Sequence, residues 1–363
     1  MNIMKTFKGD MHEYIHESSA VIRKVIENRK EAVKGFVDYF DPEKCNTIHI
    51  TGAGTSCYSG HSARRMMEKL LRKKVIVHYP IRFLDSEMFF DEGNILIAIS
   101  ATGGSVSTIK AVDKAKRDGF YTLAATNARD SEIAKYADDI LFLDYGIEDV
   151  SPKSKSYITE MTILMLCAIE AARKWGYMTE EEYEEKIAQM LKTADNLTPI
   201  AEAADAWYDL QSEEMKQAER MLVIGYDDNF GNIQEGALKI LENGRFGVFW
   251  YELEEFMHGI YHSINPDCYM VYVMSQGPYA ERILKLKDYC SGKTEHNFVI
   301  GSKKSGIKDE KAFLYDFVDD PDFYTMEYIV PLQILSYRIA KDKGINPNVP
   351  SDPAFHQKMS SKV

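Results

Sequence analysis

Cysteine and long apolar runs are scarce in this 363-residue chain, and each shortage excludes a class of protein. The five cysteines, Cys45, Cys57, Cys167, Cys268 and Cys290, are odd in number and far apart, with no CxxC pair and no Cys/His spacing suited to a metal. Neither a disulfide framework nor a metal site is expected. The longest nearly continuous apolar run, residues 161–169, is about half of what a membrane span needs, and residues 1–8 lack the apolar core of a secretory signal. A cytoplasmic protein with no membrane partner is expected. Basic residues are outnumbered, 44 Lys and Arg against 56 Asp and Glu, and the net charge of -12 repels a phosphate backbone, which argues against nucleic acid as a partner. Low-complexity segments are absent, and 45% hydrophobic residues exclude intrinsic disorder.

What is present is a rhythm. Short apolar, β-rich runs ending in Gly or Ser alternate with long helical stretches, the pattern of an α/β fold with doubly wound parallel sheets. Strands are expected at residues 47–51, 75–79, 95–100, 122–126 and 140–143, and again at 221–225, 247–251, 269–274, 297–301 and 313–317. Ile48 matches Met221, Val75 matches Val248, Ile95 matches Tyr269 and Leu123 matches Phe298 at an almost constant offset, so one five-stranded unit is used twice. The expected organisation is an N-terminal helical segment (1–40), a first domain (41–177), a helical connector (178–218), a second domain (219–343) and an extended tail (344–363).

Two loops invite an anion. The first strand runs into Gly52-Ala53-Gly54-Thr55-Ser56 and the third into Ser100-Ala101-Thr102-Gly103-Gly104-Ser105, each just before a helix. Helix N-termini offer N–H groups and a positive dipole end, and small residues let a phosphate approach the backbone. An ordinary βα turn with a serine cap explains either loop alone; the pair, so rich in hydroxyls, favours a phosphate cradle. A P-loop is rejected because Gly104 is followed by Ser105-Val106, not Lys-Ser/Thr, and a dinucleotide fingerprint because its third glycine and later acid are missing. No cofactor is expected.

In the second half, Glu235, Lys239 and Glu242 stand at i, i+4 and i+7 on one helix face. A solvent-exposed salt-bridged stripe is the ordinary outcome of that spacing, although this helix starts near the expected ligand edge. His258, beside Gly259 after the strand at 247–251, is a reasonable acid/base near neutral pH; His262 is weaker, and His12, His16 and His49 carry no assigned role.

With these residues in place the chain resembles the double-SIS (sugar isomerase) family, which includes the isomerase half of glucosamine-6-phosphate synthase and stand-alone fructosamine-6-phosphate deglycases. The resemblance rests on GAGTSCYSG (52–60), ISATGGSVST (99–108), and EGALKILE followed by EEFMHG. It implies that Thr55, Ser56, Ser100, Thr102 and Ser105 bind a sugar phosphate, with Gly54, Gly103, Ser154 and Lys155 as provisional contacts. It further implies that Glu242 moves a proton between C1 and C2, that Lys239 and Glu235 stand nearby, and that His258 opens the sugar ring from the partner subunit of a homodimer. Lys358 would be the counterpart of a tail lysine that engages the substrate carbonyl. The sequence departs from the family at Thr102, at Gly104-Ser105 and at SPKSKS (151–156). It has no N-terminal cysteine and no room for a glutaminase domain, so glutamine-dependent amide transfer is not expected. The EFxHG wording leans toward a deglycase, which splits a ketosamine 6-phosphate into sugar phosphate and amine. The competing expectation is a non-catalytic sugar-phosphate-binding regulator.

Overall fold

The computed structural model describes residues 7–363, and among them ten strands form, each within or beside an expected run. β1 (Thr47–Thr51), β2 (Lys74–His78), β3 (Ile95–Ile99), β4 (Tyr121–Thr126) and β5 (Asp139–Phe142) make one parallel sheet in the order β2-β1-β3-β4-β5. β6 (Arg220–Gly225), β7 (Gly247–Glu252), β8 (Tyr269–Met274), β9 (Asn297–Ser302) and β10 (Phe313–Tyr315) make a second in the order β7-β6-β8-β9-β10. The two orders are the same topology, so the repeat seen as spacing is a repeat of fold. Central strands such as β3 (ILIAI) and β8 (YMVYVM) are buried at every position, as expected when helices cover both faces of a parallel sheet.

The chain divides into two compact units that draw on interleaved segments. One comprises residues 20–146, 155–191 and 351–363; the other comprises residues 7–19, 147–154 and 192–350. In the first, the helices Thr55–Leu71 and Lys155–Lys174 pack together, while Leu96, Ala98 and Ala124 turn toward Ile109 and Val112 of the helix Val106–Arg117. In the second, the helix Asn229–Gly244 packs on Tyr324–Asp342. Gly236 permits this approach: a Cβ there would lie 2.5 Å from Leu332 Cδ1.

Some local expectations change. The N-terminal segment forms Met11–His16, Ser18–Glu27, Arg29–Ala32 and Lys34–Tyr39, with interruptions near Asn28 and Val33, where the backbone leaves the helical region. The connector is one long helix, Glu180–Met215, which accommodates Pro199. The tail is not wholly extended: Phe355–Lys358 is a helical turn, and Lys362 bridges antiparallel to Ser105. No helix among the described residues is long and apolar enough to cross a membrane.

One buried acid of the second unit makes stability depend on pH. Burial pushes the Glu327 carboxyl up to about 7, although Asn196 Nδ2 and the N–H groups of Val318 and Asp319 donate to it at 2.6, 2.9 and 3.1 Å. A folded-state value above the unfolded one gives stability that is full below about pH 4.5 and is lost as the pH rises through 7. A shift of this size corresponds to about 3 kcal/mol. In urea melts from pH 5 to 8, the stability of Glu327→Gln relative to wild type is therefore expected to rise with pH. A constant difference would show that Glu327 does not titrate in this range.

Candidate functional site

In the first unit the connections from β1 and β3 leave adjacent strands in opposite directions, so a crevice opens at their carboxyl ends, where open α/β sheets hold ligands. Gly54 (φ 57°) turns the chain into the helix Thr55–Leu71, and Ser105 stands at the N-cap position of Val106–Arg117 on the other side. Gly103, with φ 72°, allows a turn so tight that a Cβ there would lie 2.1 Å from Ser131 Oγ. Both helix N-termini therefore meet one crevice, and the hydroxyls expected to bind phosphate lie on its two loops.

Their hydrogen bonds differ. Ser56 is buried and donates its hydroxyl to Glu160 Oε1 at 3.2 Å; Ser59 donates to Oε2 of the same carboxylate at 3.2 Å. Ser56 is thus tied to the floor of the loop through its side chain. Ser100 Oγ accepts from the Ser105 N–H at 3.4 Å, and Ser105 Oγ accepts from Thr108 Oγ1 at 3.0 Å. Thr102 is exposed and Thr55 half-buried. The tail adds a contact that sequence reasoning missed: Ser361 O accepts from the Val106 N–H at 3.2 Å, and the Val363 N–H donates to Gly104 O at 3.0 Å. Glu160 was missed as well, although a single acid within the apolar stretch 157–169 is a readable signal.

Lys155 begins the helix Lys155–Lys174 and is buried. Lys358 is exposed and pairs with Asp352 at 2.9 Å. Ser154 belongs to the second unit, where its N–H and hydroxyl both donate to Glu148 Oε1, at 2.7 and 2.9 Å, and Gln333 Nε2 donates to its carbonyl at 3.1 Å. This serine is held by its own surroundings.

The second unit brings Glu235, Lys239 and Glu242 together, but not as a solvated stripe. Glu235 and Lys239 are almost fully buried, with Lys239 Nζ 3.5 Å from Glu235 Oε1 and 2.7 Å from Glu242 Oε2. Burial alone would lower the Lys239 pKa, but the two carboxylates hold it above the ordinary lysine value. Lys239 is therefore an ammonium at neutral pH, suited to orienting a carboxylate or stabilising an oxyanion and unsuited to act as a base. Glu242, unlike its two neighbours, is open to solvent: its side chain is 39% exposed. It stands on the exposed side of the last turn of Asn229–Gly244, between buried Ile240 and Asn243, and at the end remote from the carboxyl edge of the sheet. The helix begins at that edge, as expected, and Glu242 lies at its far end.

His258 is exposed in the turn after Leu253–Phe256, and its N–H donates to Glu255 O at 3.0 Å. The structure does not bring it to Glu242. β7 is an edge strand, and the connections into and out of it run in opposite directions along the sheet. Right-handed crossovers put Asn229–Gly244 on one face and residues 253–263 on the other. The packing agrees, because Leu253 and Phe256 join Leu222, Ile224, Met270 and Tyr272 in one cluster on their face.

Comparison with known proteins adds the lineage. Residues 43–171 match the SIS domain family. The glutamine–fructose-6-phosphate aminotransferase (isomerizing) of Clostridium tetani is 25% identical over 352 residues, which is 95% of this chain; the chain spans 58% of that relative's length. A candidate phosphosugar isomerase from Clostridium difficile 630 superposes with a TM-score of 0.92 at 29% identity, covering 98% of this chain and 99% of the other. The C-terminal domain of glucosamine-fructose-6-phosphate aminotransferase from Francisella tularensis shares the fold, with a TM-score of 0.84 at 19% identity over 95% of this chain and 99% of that one. Residues 43–171 are thus a SIS domain, and nearly the whole chain is homologous to the isomerase half of the glutamine–fructose-6-phosphate aminotransferases.

Proposed function

We propose that the protein is a cofactor-independent phosphosugar enzyme that moves a proton between C1 and C2 of an amino-linked sugar 6-phosphate, acting as a deglycase of ketosamine 6-phosphates. The main support is the pair of hydroxyl-bearing loops at the β1/β3 crevice, each at a helix N-terminus, in a chain that also carries the Glu235-Lys239-Glu242 cluster. Thr55, Ser56, Ser100, Thr102 and Ser105 hold the phosphate in this reading, Ser56 through its backbone. Glu242 takes a proton from C1 of the ketosamine, the C2 carbonyl oxygen becomes an enaminol oxygen, and protonation at C2 gives the aldose imine. Water then adds to C1, and the C–N bond breaks to release amine and aldose phosphate. Lys239, Glu235 and Lys358 supply charge near the developing oxyanion.

His258 opens the sugar ring. Since Glu242 and His258 lie on opposite faces of their sheet, a homodimer in which each site takes His258 from the partner is the arrangement that fits this reading. The protein acts in the cytoplasm on a small molecule, with neither nucleic acid nor membrane as partner.

The deciding experiment offers a panel of 6-phosphorylated ketosamines and amino sugars and measures released amine and changed sugar. Amine release from a ketosamine supports the deglycase; interconversion of ketose and aldose without it supports a simple isomerase. Binding of several phosphosugars without turnover would favour the regulator. On a genuine substrate, replacing Ser100 and Thr102 together by Ala should raise KM, with a loss of up to about 1.5 to 3 kcal/mol for each charged hydrogen bond removed. An unphosphorylated analogue should be unaffected by the same change. An unchanged KM for the phosphorylated substrate would remove these two hydroxyls from the phosphate site.

A further inference from the structure

Away from these residues, two histidines with no part in the proposed chemistry converge on one oxygen. His12 and His16 stand one turn apart on the helix Met11–His16, with ring centroids 4.4 Å apart. Asp205, on the long helix Glu180–Met215, presents Oδ2 at 2.7 Å from His12 Nε2 and 3.1 Å from His16 Nε2. The three donor atoms all lie within 4.8 Å of one another. All three side chains are partly buried, from 18% to 33% exposed, so the cluster is shielded yet open to solvent.

We propose that His12, His16 and Asp205 form a binding site for a divalent transition-metal ion of the zinc class. Two imidazoles and one carboxylate oxygen are the donor set that suits such an ion, and water can complete its coordination. In a tetrahedral site with bonds near 2.1 Å, neighbouring donors stand about 3.4 Å apart. The His12 and His16 nitrogens would therefore move about 0.7 and 0.3 Å away from Oδ2 to admit the ion. The i, i+4 spacing gives both rings one direction.

The surroundings fix the donors. Arg338 Nη1 donates to Asp205 Oδ1 at 2.8 Å, which leaves Oδ2 as the oxygen turned to the histidines. Thr198 Oγ1 donates to the His16 carbonyl at 2.7 Å, and the Met11 N–H donates to Asn348 Oδ1 at 3.0 Å, so the helix that carries the histidines is anchored at both ends. Outer partners of this kind orient metal ligands. Met11 Sδ also accepts from Asn243 Nδ2 at 3.1 Å, beside Glu242, so an ion bound here would brace the N-terminal helix against the helix of the charged cluster. His12 holds its proton more firmly than a free histidine, because Asp205 accepts from it against the opposing effect of burial, and an entering ion must displace that proton.

The test titrates the full chain with Zn²⁺ at pH 8 by calorimetry, and with Co²⁺ by visible absorption, for wild type, His12→Gln, His16→Gln and Asp205→Asn. Wild type should bind one ion per chain and give the Co²⁺ bands of a four- or five-coordinate site with nitrogen and oxygen donors. Each histidine variant should weaken binding by at least about tenfold, the lower bound for loss of even an outer partner, and lose the bands. The histidine variants carry the test should Asp205→Asn disturb its contact with Arg338. Absence of a one-ion event in wild type overturns the proposal. So does an affinity unchanged in both histidine variants, since the ion then sits on other histidines or cysteines.

Discussion

Glu242→Gln is expected to lower kcat by about 10² to 10⁴-fold on a genuine phosphosugar substrate, the usual range for loss of a general base, with a much smaller effect on KM. The amide keeps the size of the side chain and can still meet Lys239, now 2.7 Å from the carboxylate, but it cannot take a proton. His258→Asn should behave differently, because rings open slowly without help. Its loss should slow turnover of a cyclic substrate more than of an analogue that cannot cyclise. If each site takes His258 from the partner of a homodimer, mixing the two variants should restore part of the activity, since some mixed dimers contain one intact site. Steady-state kinetics on the separate and mixed variants measure all of this. Near-normal kcat in Glu242→Gln would falsify the assignment of the base.

Lys239→Met is expected to destabilise the fold by about 3 to 5 kcal/mol, the range for breaking a buried ion pair by removing one partner. The reason is the carboxylate left behind: Glu235 is wholly buried, and Lys239 Nζ lies 3.5 Å from its Oε1. Changing Glu235 to Gln in the same chain should recover a substantial part of the loss, because the buried charge that Lys239 faced is then gone. Urea unfolding of the two single variants and the double variant gives the coupling. A double variant as unstable as the sum of the singles would mean that Lys239 contributes through its packed methylenes rather than through its charge.

Periodicity within short stretches carried most of the fold. Each strand is a local run of β-branched and apolar residues, the turn residues that end it are its neighbours, and the almost constant offset between halves is itself a property of the linear chain. The two hydroxyl loops were legible for the same reason, since a strand, a small-residue turn and a helix start follow one another directly. Side-chain spacing also put Glu235, Lys239 and Glu242 on one face.

Whether a face is buried is not a local property. Lys239 is enclosed and Glu242 exposed because the helix Tyr324–Asp342 packs along Asn229–Gly244, a partner that begins more than 80 residues later in the chain. That Glu242 and His258 sit on opposite faces follows from strand order and crossover hand, and neither is written in the residues between them. Asp205 reaches His12 and His16, Glu160 reaches Ser56, and Lys362 reaches Ser105 across separations of 193, 189, 104 and 257 residues. Such contacts form when burial of apolar surface brings distant segments together, so the sequence determined the elements and their chemistry, and the packing of those elements decided which charges are enclosed and which are free to react.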